Sequence, residues 1–101
     1  MELDAVSHET TIRVVIAGRV QGVGYRHWTA GTARDLGLDG WVRNRRDGTV
    51  EALFRGPDDA IERMLTACRS GPGSARVDTI ERLDANADEA GDGGFEQRGT
   101  V

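Results

Sequence analysis

The sequence predicts an α+β domain of the split βαβ, ferredoxin-like type, an antiparallel sheet carrying two helices on one face and a short fifth strand. Three observations predict it. Two helical patterns flank a pair of strand patterns, the order along the chain is β, α, β, β, α, β, and 101 residues suffice for one core but not two.

Residues 1–10 show no apolar periodicity and read as a loose tail, which places the domain at 11–101. From Thr11, TIRVVIAG alternates Ile12, Val14 and Ile16 against Arg13, Val15 and Ala17, the pattern of a strand with one face toward a core. A glycine-rich stretch follows, and then Tyr25, Thr29, Ala33 and Leu36 form one stripe of a helix, with Trp28 at its margin. Gly37 supplies the left-handed residue that ends it. Gly31 lies inside this helix, where it costs about 1 kcal/mol relative to Ala, and is read as a site of close packing against a neighbour.

LDGWVRNRRDGTVEALFRG reads as two strands around a turn at Asp47-Gly48. A two-residue loop would set Asn44 opposite Glu51 on a mixed face. A three-residue loop of Arg46, Asp47 and a left-handed Gly48 collects Val42, Asn44, Val50, Ala52 and Phe54 on one face, and is the expected register. Asn44 is then the polar exception on an apolar row. In GPDDAIERMLTACRSG, Pro57 suits the first helical position and Asp58 and Asp59 suit the positive end of the dipole. Ile61, Met64, Leu65 and Cys68 make the apolar stripe, and Arg69 and Gly71 mark the stop. Residues 75–83 read as a fourth strand, DANADEAGDGG as a flexible acidic loop, and Phe95 to Val101 as a short last strand.

Composition narrows the function classes. The acidic N-terminus and the absence of a long apolar run argue against a signal peptide or a membrane span, so the expected compartment is the cytoplasm. One cysteine and two histidines, His8 and His27, are too few for an internal disulfide or a transition-metal cluster. A net charge of −4 argues against a general nucleic-acid backbone binder, so any anion site must be local. All 13 basic residues are arginine, which removes lysine-dependent chemistry.

GRVQGVGYR, residues 18–26, is the segment that asks for a function. It lacks the Gly-Lys-Ser/Thr ending of a nucleotide-triphosphate loop, and His27 stands where a dinucleotide fingerprint begun at Gly22 would need its third glycine. What remains is a short loop running from a strand into a helix N-terminus, a geometry that turns several N–H groups toward one point and can hold an anion. Arg26 in the first turn opposes the helix dipole by about 0.3 to 1 kcal/mol, a penalty that a bound dianion would reverse. The alternative is a tight turn with a solvated arginine. Asn44 favours the anion site, because it ends strand two on the helix side, where it can approach the loop.

GRVQGVGYRHWTAGTARDLGLDGWVRNRRDGTVE resembles the acylphosphatase family, whose signatures are a GxVQGVxxR phosphate loop and a GWVxNxxDGxVE hairpin. The likeness covers about residues 12–98. It implies a loop of Val20, Gln21, Gly22, Val23 and Gly24 that holds a phosphoryl group by backbone N–H, with Arg26 as its ion-pair partner. It also implies that Asn44 orients the attacking water and that Thr29 supports the site. The implied activity is metal- and cofactor-free hydrolysis of a small acyl phosphate; a monomer is the default expectation, and charge and apolar pattern lead to the expectation of no nucleic-acid or membrane partner. Gln97 departs from the resemblance, standing where the last strand of the family usually carries an apolar residue, and Arg45 departs by following the asparagine. The alternatives are a non-catalytic domain binding acyl or carbamoyl phosphate, as in carbamoyl-phosphate-using maturation proteins, and an RNA-binding module of the same topology. Trp28, Trp41 and Tyr25 are read as packing residues, Cys68 as an inert core thiol, and Arg43, Arg45 and Arg46 as a solvated rim.

Overall fold

The computed structural model describes residues 8–101. Strand β1 (Glu9–Arg19) leads to helix α1 (Tyr25–Asp35), strands β2 (Asp39–Asn44) and β3 (Val50–Pro57), helix α2 (Asp58–Ser70), strand β4 (Arg76–Asp84), a 3₁₀ turn (Ala87–Ala90) and strand β5 (Phe95–Gln97). The sheet order is β4-β1-β3-β2-β5. Four strands are antiparallel, as the sequence predicts, but β5 runs parallel to β2 and makes the sheet mixed. β1 begins at Glu9, two residues earlier than the alternation at Thr11 suggests, because Glu9 and Thr10 pair with Pro57 and Gly56. Residues 1–7 of the expected tail lie outside the described residues.

The period-2 pattern sorts the strands into two faces. Ile12, Val14, Ile16, Val42, Val50, Ala52 and Phe54 form the helix-covered core with Tyr25, Ala33, Ile61, Met64, Leu65 and Cys68. Helix α1 ends as expected: Gly37 has φ 72°, its N–H donates to Arg34 C=O, and Leu38 N–H donates to Ala33 C=O. Two expectations shift. Pro57 caps α2 from outside and does not occupy its first turn, and Gly31 is exposed with open space where a Cβ would stand, so it marks no close packing.

The hairpin adopts the three-residue loop: Asn44 faces Val50, Arg45 N–H donates to Thr49 C=O, and Gly48 has φ 94°. Asn44 therefore shares its face with Val42 at the end of β2. β1 and β2 point the same way on either side of β3, so their C-terminal ends open at one edge of the domain, where the glycine stretch begins. A bulge at Ala17/Gly18 redirects the end of β1 toward that stretch.

The second sheet face departs most from expectation. The acidic segment is folded, with Asn86 and Glu89 forming a reciprocal capping box and Ala90 buried against Trp41 and Leu53. The Trp41 indole N–H donates to Glu89 C=O at 3.0 Å. Arg43 is not a solvated rim residue: it lies over the Trp41 ring and donates to Glu51 at 2.8 Å, while Arg13 donates to the other Glu51 oxygen at 2.9 Å.

Glu51 is only 4% exposed. Burial alone would raise its pKa, but the hydrogen bonds from Arg43 and Arg13 outweigh burial and hold it below the ordinary value. A folded pKa below the unfolded one gives stability that is present above the unfolded pKa, about 4.3, and lost as pH falls through the folded value. Glu51→Gln should therefore flatten the fall in denaturation midpoint on acidification from about pH 7 to about pH 3. Equal pH slopes for the two proteins would refute this role.

Candidate active site

The glycine stretch becomes a loop because its dihedrals require it. Gly24 is the N-cap of α1 at φ 79°, ψ 19°, a left-handed conformation that a side chain disfavours, and Gly22 has φ 74°. The first intrahelical bond is Trp28 N–H to Gly24 C=O at 3.0 Å, so the amides of Tyr25, Arg26 and His27 have no helical partner. No side chain caps them, and no acidic residue stands in the first turn.

These amides open on a cavity of about 170 Å³ lined by loop residues Val20, Gln21, Gly22 and Gly24 and by Arg26 and Asn44. Tyr25, His27 and Gln97 complete the wall. Arg26 is half-buried and pairs with no carboxylate among the described residues, in a chain with 17 acids against 13 arginines. Asn44 is likewise half-buried, and its carboxamide has no hydrogen-bond partner among the described residues. Its own backbone is fixed, since Asn44 C=O accepts from Val101 N–H at 3.1 Å and Val101 C=O accepts from Arg46 N–H at 2.8 Å. A guanidinium, a carboxamide and bare amides thus meet at one small concavity. That set can bind an anion of several oxygens and place a water beside it.

The remaining expected site residues have other surroundings. Val23 packs against the core and does not line the cavity. Thr29 is fully buried, and its hydroxyl donates to Tyr25 C=O at 2.8 Å, bracing the first turn from below. Gln21 lines the cavity, but its carboxamide donates to Arg45 C=O at 2.7 Å and Thr49 C=O at 2.8 Å. It ties the loop to the hairpin that carries Asn44. Nothing in the sequence signals this tie, because both acceptors are backbone carbonyls. The same holds for Tyr25, whose hydroxyl donates to Cys68 C=O at 2.7 Å and anchors the start of α1 to α2. Burial raises the Tyr25 hydroxyl pKa and pushes the Cys68 thiol up to about 12, so neither group ionises near neutral pH. No cluster of His, Cys, Asp and Glu able to hold a metal ion occurs among the described residues.

A wider depression of about 420 Å³ lies on the opposite sheet face, beside Arg13, Arg43, Arg45 and Arg46. Glu51 occupies two of these arginines, and Arg45 is 3.8 Å from Asp47. It contains none of the loop amides.

Comparison with known proteins matches residues 12–97 to the Acylphosphatase family profile. The chain is 67% identical over 70 residues to an acylphosphatase of Rhodospirillum rubrum, covering 69% of this chain and 77% of that one. It superposes on the crystal structure of the Bacillus subtilis acylphosphatase with a TM-score of 0.82 and 34% identity, covering 90% of this chain and 99% of that chain. It is also similar to a region of full-length HypF in its phosphate- and nucleotide-bound form, with a TM-score of 0.82 and 26% identity, covering 94% of this chain and 12% of that one.

Proposed function

The chain belongs to the acylphosphatase family and is an enzyme, and from that premise we propose that the cavity beside Asn44 hydrolyses the carboxyl-phosphate bond of small acyl phosphates. The observation that carries this reading is the meeting on one wall of uncapped amides with Arg26 and the Asn44 carboxamide, neither of which has a partner among the described residues.

An acyl phosphate leaves a carboxylate, which is stable at neutral pH without a proton. The site therefore needs no strong general acid, and His27 need not serve as one. Asn44 holds a water in line with the bond to be broken, and the water oxygen forms the new bond to phosphorus. The bond from phosphorus to the acyl oxygen breaks, its electron pair leaves with the carboxylate, and the water protons depart with inorganic phosphate or to solvent. Arg26 and the amides around Gly22 and Gly24 hold the equatorial oxygens, where a fixed fork of donors bears the phosphoryl charge. The contribution is positioning and preorganised charge.

Two acyl phosphates, acetyl and benzoyl, test the reading. Release of carboxylate and phosphate is expected at the same rate with and without an excess of chelator. Stoichiometric binding of acetyl phosphate without turnover would favour the binding-domain alternative, and a chelator that abolishes turnover would overturn the metal-free mechanism.

A further inference from the structure

The wall of this cavity contains two carboxamides besides Asn44 only in appearance, because one of them is already committed. Gln21 spends its amide N–H groups on the hairpin carbonyls, whereas Gln97 has no hydrogen-bond partner among the described residues. Gln97 reaches the cavity by the strand alternation. Phe95 and Gln97 pair with Gly40 and Val42 and share the helix-side face, while Glu96 points the other way. Phe95 is buried and stacks on Phe54 with centroids 5.6 Å apart, so the strand's position is fixed two residues before Gln97. His27, exposed on the first turn of α1, lines the same wall and also lacks a partner among the described residues.

The apolar part of the wall offers little to a ligand. Val20 and Tyr25 are each about 1% exposed, their surfaces already spent on the core. At about 170 Å³ the cavity is also well below the roughly 300 Å³ at which sites enclosing a whole drug-sized ligand begin. With a phosphoryl group against the loop amides, the space left is too small to enclose a large acyl part, which then extends toward the mouth beside Gln97 and His27.

Resting on the acyl phosphate reading, we propose that Gln97 and His27 form an acyl subsite that selects acyl groups carrying a second oxygen acceptor, a carboxylate or amide oxygen, over plain hydrocarbon or aromatic ones. Gln97 donates from its amide, His27 from its ring N–H, and the nearby Arg26 favours a carboxylate further. An aryl group gains no comparable apolar contact. Gln97 is thus a specificity-determining residue, distinct from the groups that hold the phosphoryl oxygens.

The test is a comparison of kcat/KM for monosuccinyl phosphate, acetyl phosphate and benzoyl phosphate in the wild type, Gln97→Leu and Gln97→Glu. Wild type should prefer the succinyl over the benzoyl substrate. Gln97→Leu should lower that ratio by about fivefold to tenfold, mainly through KM, the change expected for one hydrogen bond to a charged acceptor at a partly open site. Gln97→Glu keeps the side-chain shape but repels the terminal carboxylate, and should lower the ratio at least as far. A ratio that stays within about twofold of wild type in both variants overturns the proposal while leaving the hydrolytic reading intact. Failure of the wild type to turn over any of the three substrates overturns both.

Discussion

Arg26→Ala is expected to lose roughly a hundred- to a thousandfold in acetyl phosphate turnover while remaining folded, and Asn44→Ala to lose a comparable amount. The physical reason is that neither side chain has a partner among the described residues. Arg26 pairs with no carboxylate among the described residues, and it stands at the positive end of α1, where its charge is unfavourable by about 0.3 to 1 kcal/mol. Its removal should leave thermal stability unchanged or slightly raised. Asn44 takes part in the fold through its backbone carbonyl, which Asn44→Ala retains. The two losses should differ in kind. On the proposed mechanism Arg26 already binds the phosphoryl oxygens in the ground state and binds them more strongly in the transition state, so Arg26→Ala should lower kcat and also weaken competitive inhibition by inorganic phosphate. The proposed role of Asn44 is to act on the water, so Asn44→Ala should lower kcat with little change in that inhibition. Wild-type turnover by a folded Arg26→Ala protein would end the assignment, as would a phosphate affinity lowered equally in both variants.

Gly40→Ala is expected to lower the thermal midpoint by roughly 10 to 25 °C. Gly40 has φ 137°, a backbone region that other residues rarely adopt, and a Cβ built there would lie 1.8 Å from the Leu53 carbonyl oxygen of the neighbouring strand. Backbone strain of about 1 to 3 kcal/mol adds to overpacking of a similar size, against a total stability of about 5 to 15 kcal/mol for a domain of this kind. The carbonyl cannot move aside without breaking the β2–β3 pairing that positions Asn44. Gly31→Ala is the internal control, since Gly31 is exposed with nothing within 4 Å of a built Cβ. It should gain about 0.5 to 1 kcal/mol from helix propensity. Thermal unfolding of both proteins decides it, and a Gly40→Ala midpoint within a few degrees of wild type would show that the strand crossing relaxes easily.

Most of the elements were legible because their signals are local. The alternation of Ile12, Val14 and Ile16 and the stripe of Ile61, Met64, Leu65 and Cys68 each appear within a dozen residues, and the structure buries all seven. The hairpin register followed from one counting argument, that only a three-residue loop puts Val50, Ala52 and Phe54 on the face of Val42. The acidic segment reads as a flexible loop because its composition is polar and glycine-rich. It is ordered by contacts that composition cannot reveal, chiefly Ala90 against Trp41 and Leu53. Gly31 is ambiguous in sequence, since a helix glycine signals either packing or mere tolerance, and only the neighbours, absent here within 4 Å of a built Cβ, distinguish them.

By itself the sequence determined the split βαβ architecture, the glycine loop before α1 and the placement of Arg26 and Asn44 at the ends of elements that converge, because periodicity and turn chemistry act over a few residues. Only the tertiary structure decided what holds that convergence in place. Gln21 reaches carbonyls 24 and 28 residues away, Tyr25 a carbonyl 43 residues away, and Arg13 a carboxylate 38 residues away. Backbone carbonyls are chemically alike in every residue, so their selection as partners leaves no mark on the sequence and is settled by which strands and helices lie side by side.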